Sequence, residues 1–182
     1  LPPTARSSRA KGKVIEITHD IAKPNGIAIT PDGKLLIAAD HDNGTDKIDP
    51  TKPAPKIGNQ QIVAWDLDKD GLVTGKKRVL IDYKDAAGCD GMTVDAAGRI
   101  YLTIRDVRRP GIQVVDVKGK ELAFIPTGPA NQSPTPEKPA VGLPSNVEFG
   151  IGDEISTLYV TIDLSLYRIK LAAKGYHVQY AK

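Results

Sequence analysis

A chain of 182 residues is long enough to bury one ordinary core. Its net charge of +3 is small and its Lys and Arg are scattered, which argues against nucleic acid or a membrane surface as partner; a single cysteine excludes an internal disulfide, and no apolar run reaches the about 20 residues of a membrane span. With 17 Gly, 14 Pro and few aromatics, the composition is that of many short strands joined by turns.

In chain order, residues 1–12 are expected to form a disordered terminus or the remnant of an upstream segment, with Arg6–Lys13 as the one marked basic cluster. Lys13–Thr18 alternates like a strand, and is expected to be the outer edge of a blade whose beginning lies upstream. Strands are then predicted near Ile27–Thr30, Leu35–Ala39, Gln61–Leu67 and Lys77–Asp82. A second set follows at Met92–Val94, Ile100–Ile104, Ile112–Asp116 and Glu121–Pro126. A third set covers Asn146–Phe149, Leu158–Thr161, Leu166–Lys170 and Tyr176–Tyr180. Helical periodicity is nowhere sustained. Two long Pro- and Gly-dotted interruptions, His41–Asn59 and Gly128–Gly142, break the period; loops of this length in a compact unit are usually functional or disordered.

The three sets share a phrase. Pro24-Asn25-Gly26-Ile27 with Pro31-Asp32-Gly33 returns as Asp90-Gly91-Met92 with Ala97-Gly98, and more loosely as Pro144-Ser145-Asn146-Val147. A repeat of this size with all-β content predicts a propeller, here about three four-stranded blades plus one strand of a preceding blade, over residues 13–182. An open arc leaves strand edges and inter-blade apolar surface uncovered, so missing N-terminal blades or a second copy are expected to close it.

The repeat aligns Asn25, Asp90 and Ser145 at the starts of the innermost strands, where their side chains converge near the channel mouth. A carboxylate beside an amide oxygen suits a hard cation, and Asp90 is placed to act as a general base on water. The plainer reading is that Asn-Gly and Asp-Gly are turn residues bonding their own backbone. Asp66–Gly71 imitates the start of a calcium loop but has Lys77 in its twelfth position, so a charged hairpin turn is expected. His41, within the acidic stretch Asp40–Asp46, either contacts substrate or cation or belongs to an Asx-rich turn. Cys89 reads as a small buried filler rather than a nucleophile.

These phrases, with Asp95, Gly98 and Tyr101, Phe149-Gly150, Leu158-Tyr159-Val160-Thr161 and Ser165-Leu166-Tyr167-Arg168-Ile169, resemble the family of gluconolactonases, regucalcin and luciferin-regenerating enzyme. The resemblance runs from about Gly12 to the end. It implies the C-terminal half of a six-bladed propeller with one divalent cation in its channel, Ca²⁺ first, with Zn²⁺, Mg²⁺ or Mn²⁺ as alternatives. It implies Asn25 and Asp90 as metal ligands, Asp90 as the base directing water onto a lactone carbonyl, and Ser145 lining the pocket. The family's glutamate ligand and its substrate-contacting Arg and Asn come from earlier blades. This chain is therefore expected to carry part of a lactone hydrolase site and to be inactive by itself. A non-catalytic propeller used for binding, and a lyase propeller, are the competing readings. The compartment stays open between cytoplasm and periplasm or beyond.

Overall fold

The computed structural model describes residues 14–44 and 57–177. Among the described residues eleven strands fold into three antiparallel meanders, the arrangement of propeller blades. The first comprises β1 (Pro24–Ile29), β2 (Leu35–His41), β3 (Gln60–Leu67) and β4 (Val73–Asp82). The second comprises β5 (Cys89–Val94), β6 (Ile100–Ile104), β7 (Gly111–Val115) and β8 (Glu121–Pro126). The third holds β9 (Pro144–Phe149), β10 (Thr157–Ile162) and β11 (Ser165–Lys170). The innermost strands are neighbours, β1 beside β5 and β5 beside β9.

Strand alternation puts one apolar row on each face, and the rows meet between blades. Ile37, Ala39, Ile62 and Ala64 of the first blade pack on Met92, Val94, Ile100 and Leu102 of the second. Tyr101, Ile112 and Val114 on the opposite face of the second blade meet Val147, Phe149, Leu158 and Val160 of the third. Tyr101 sits edge-on to Phe149, with ring centroids 5.1 Å apart.

One sequence expectation is corrected. Val14–Thr18 belongs to no strand, and Val14 and Ile15 are exposed. Alternation gave it a strand's pattern, but among the described residues it pairs with no strand. The chain is instead fastened further on: Ile21 packs on the outer cluster of Leu36, Ala38, Val63 and Trp65, and Trp65 Nε1–H donates to Asp20 at 3.1 Å. Of the fourth strand expected over Tyr176–Tyr180, only Tyr176 and His177 are described, and neither belongs to a strand. After β11 the chain turns back across the second blade, where Gly175 bridges Asp95, Ala96 N–H donates to Lys174 at 2.8 Å, and Ala173 is buried. Residues 178–180, like Arg6–Lys13 and Asp46, lie outside the described residues.

Gly26 and Gly91 are strand residues, and neither adopts a left-handed backbone. Their role is close approach. A Cβ on Gly26 would lie 2.5 Å from the Asp90 carbonyl, and one on Gly91 would lie 2.8 Å from the Ser145 carbonyl. At Gly26 the obstructing atoms are all backbone and cannot yield locally; at Gly91 the Asn146 side-chain oxygen stands nearer still, with backbone behind it. Gly26→Ala is expected to lower stability by about 1–3 kcal/mol through overpacking, read by chemical denaturation. An unchanged denaturation midpoint would show that the inner strands tolerate separation.

Candidate functional site

The inner strands match residue for residue, so Asn25, Asp90 and Ser145 each stand second in β1, β5 and β9. A register shift near the start of each inner strand, at Pro24/Ile27, Cys89/Met92 and Thr161/Ile162, turns these positions out of the ladder. All three side chains line one polar cavity of about 440 Å³.

The groups differ in how far they are already engaged. Among the described residues the Asn25 amide and the Asp90 carboxylate make no hydrogen bond, and the Asp90 carboxylate has one charged neighbour, Arg105 Nε at 3.8 Å. Turn aspartates elsewhere behave otherwise: Asp32 accepts from Lys34 N–H, Asp68 from Asp70 N–H and Asp116 from Lys118 N–H. The turn-residue reading of Asn25 and Asp90 therefore does not describe them. Ser145 Oγ is tied to Thr161 Oγ1 at 2.7 Å and lines the cavity as a fixed wall.

A second set of residues completes the rim. Aligning the turn glycines, Gly33 with Gly98, would pair Arg105 with Asp40. The ladders say otherwise, because Thr30 N–H reaches Leu35 whereas Asp95 N–H reaches only Arg99, making the first turn one residue longer. Ile29 thus faces Leu36, Val94 faces Ile100 and Phe149 faces Leu158. His41, Arg105 and Asp163 are then equivalent, and all three line the cavity. Two of them reach forward to the next blade in the same way. His41 Nδ1–H donates to the Cys89 carbonyl at 2.8 Å, and Arg105 donates to the Pro144 carbonyl at 3.3 Å. Cys89 and Pro144 immediately precede Asp90 and Ser145, so each strut steadies the peptide that carries a site residue. A carbonyl only accepts, so neutral His41 carries its proton on Nδ1 and its lone pair on Nε2. Asp163 accepts from Gly142 N–H at 2.6 Å and Leu143 N–H at 3.1 Å, which fastens the end of the long Gly128–Gly142 loop to the rim.

The acidic stretch at His41 is divided among separate tasks. Asp40 is fully buried and accepts from Lys23 N–H at 2.9 Å and from Asn59 Nδ2–H at 3.0 Å, while Asp42 accepts from Gly44 N–H. Burial pushes the Cys89 thiol well above its usual range, in keeping with a filler. The calcium-loop imitation is a hairpin turn, with Asp66 spent on Arg78. Asp106, beside the rim, is held below the usual carboxylate range by its hydrogen bond to Arg108.

Among the described residues no group of three or more His, Cys, Asp or Glu is placed to hold a metal. The donor chemistry of Asn25 and Asp90, two uncommitted oxygen groups on one cavity, fits a hard cation that takes its further ligands from water or from other groups.

A family model described as SMP-30/Gluconolactonase/LRE-like region matches residues 5–163. Lactonohydrolase oryH of Aspergillus oryzae is 30% identical over 124 residues, covering 64% of this chain and 25% of that protein. Two solved structures resemble the fold. A regucalcin from Agrobacterium tumefaciens, described as a calcium-binding protein, is 23% identical with a TM-score of 0.62, over 91% of this chain and 52% of that one. A gluconolactonase from Xanthomonas campestris is 24% identical with a TM-score of 0.59, over 94% and 43%. The chain spans a quarter of its curated relative and about half of these structures. With the family model covering most of its length, the chain belongs to the SMP-30/gluconolactonase/LRE-like family.

Proposed function

We propose that this chain carries part of the active site of a lactone hydrolase. The observation that carries the reading is the pair Asn25 and Asp90, two oxygen groups without hydrogen bonds among the described residues, on one polar cavity of a family whose members include lactonohydrolases. A pure scaffold has no use for such a pair, since uncommitted polar groups at a rigid channel mouth add nothing to the fold.

Asn25 and Asp90 would hold a divalent cation, which when bound polarises the lactone carbonyl and stabilises the oxyanion. Asp90 takes a proton from water as the water oxygen bonds to the carbonyl carbon. The ring C–O bond then breaks, and the proton held on Asp90 passes to the departing ring oxygen. The product is a hydroxy acid, which loses its acidic proton to solvent at neutral pH. The His41 strut to Cys89 keeps the peptide ahead of Asp90 fixed during these transfers. Two oxygen donors are fewer than the about six to eight that Ca²⁺ takes, so tight binding and full turnover require donors beyond those two.

Calorimetric titration with Ca²⁺ is expected to show saturable binding that Asp90→Ala abolishes and Asn25→Ala weakens about tenfold, the loss of one charge-assisted contact. In whichever form turns over glucono-1,5-lactone, Asp90→Asn is expected to lower kcat by about 10²-fold or more. A variant with wild-type turnover would exclude Asp90 as the base. Cys89 is expected to resist a thiol reagent at pH 8 in the folded protein and to react on unfolding, because burial keeps the thiolate scarce. Rapid modification of the native protein would reopen a nucleophilic role.

A further inference from the structure

Arg105 differs from four other arginines of the first two blades. Arg78, Arg99, Arg108 and Arg109 each hold a carboxylate oxygen at 2.8 Å or closer. The contacts of Arg105 are looser, at 3.8 Å to Asp90, 3.3 Å to the Pro144 carbonyl and 3.5 Å to the Leu143 carbonyl. Its side chain is one-third exposed, and it stands on the wall between two cavities, the polar one at Asp90 and a neighbour of about 350 Å³. A planar guanidinium with five donors, a fixed charge and no close carboxylate is suited to bidentate capture of an anion. The other acid on the polar cavity, Asp163, is occupied by two backbone N–H groups and does not compete for it.

We propose that Arg105 is the carboxylate receptor of this site, turning from Asp90 to grip the carboxylate of the ring-opened hydroxy acid. The proposal rests on the lactone-hydrolase reading and names what the site binds after ring opening. Arg105 also opposes cation binding, because its positive charge faces the carboxylate that would hold the metal. Cation and guanidinium therefore compete for Asp90, and a bound cation frees Arg105 for the anion.

The test uses three probes: 4-hydroxybutanoate as the ring-opened acid, γ-butyrolactone as its neutral counterpart, and Ca²⁺ alone. Binding is read by calorimetry on the wild type and on Arg105→Met and Arg105→Lys. The wild type is expected to bind 4-hydroxybutanoate saturably. Arg105→Met is expected to weaken that binding about tenfold or more, with Arg105→Lys intermediate for want of the fork. Affinity for γ-butyrolactone should be the same in all three. Ca²⁺ should bind Arg105→Met more tightly than the wild type. Equal thermal midpoints show that each variant folds. The inference is overturned if the wild type binds no 4-hydroxybutanoate, if Arg105→Met binds it as the wild type does, or if Ca²⁺ affinity is unchanged by the substitution. Turnover is measured separately, in a form closed by further blades or a second copy: anion binding through Arg105 without lactone hydrolysis in that form would remove the hydrolase reading and leave the receptor. Hydrolysis with product affinity independent of Arg105 would do the reverse.

Discussion

The approach of the three inner strands sets everything above it. β1, β5 and β9 come near enough only because Gly26 and Gly91 have no side chain where the next strand's carbonyl lies. That contact sets the width of the channel mouth, and with it the distance across which Asn25 and Asp90 face one cavity. The inter-blade apolar rows supply the force that presses the strands together, and the glycines set where they stop. The struts from His41 and Arg105 then fix the peptides just ahead of Asp90 and Ser145. Rigid sheets below and a hydrogen-bonded rim above are what a preorganised site needs.

Much of this was legible in the sequence, for a definable reason. The inner strands repeat without insertion, so aligning the Asn25, Asp90 and Ser145 phrases was enough to put three side chains on one cavity. Arg105 and Asp163 were not legible, because the first turn is one residue longer than the second. Matching glycines then pairs Arg105 with Asp40, which points to the outer face and is buried against Lys23 and Asn59. A single residue of turn length reverses which face a strand position occupies, and no composition or spacing rule carries that information. The segment Val14–Thr18 was misread as a strand because its pattern alone does not specify pairing. Alternation marks a segment able to sit on a sheet, but a ladder also needs a partner strand in register, and alternation does not specify one.

The contrast among carboxylates separates structure from chemistry more sharply than burial does. Asp95 is fully buried and accepts from Ala97 N–H, Arg99 N–H, Arg99 Nε–H and Tyr101 O–H, so it is a fastening. Tyr101 is pushed up to about 12, by burial first and then by the Asp95 charge. Asp90 is less buried and makes no hydrogen bond among the described residues, with Arg105 at 3.8 Å as its charged neighbour. Asp90 stands second in β5 and Asp95 directly follows its last residue, so the two flank opposite ends of that strand. The end with its bonds satisfied holds the blade, and the end without them faces the cavity.

The return of the chain from β11 to the second blade has a kinetic meaning. Gly175 meets Asp95, 80 positions earlier, and the same crossing seats Ala173 and the Tyr176 N–H against the second blade. A meander folds blade by blade through local hairpins, each closing a short loop at small entropic cost. This contact forms only after both later blades exist, so it belongs to the last stage of assembly. It also ties those two blades together, so that separating the third from the second requires the tail to leave as well.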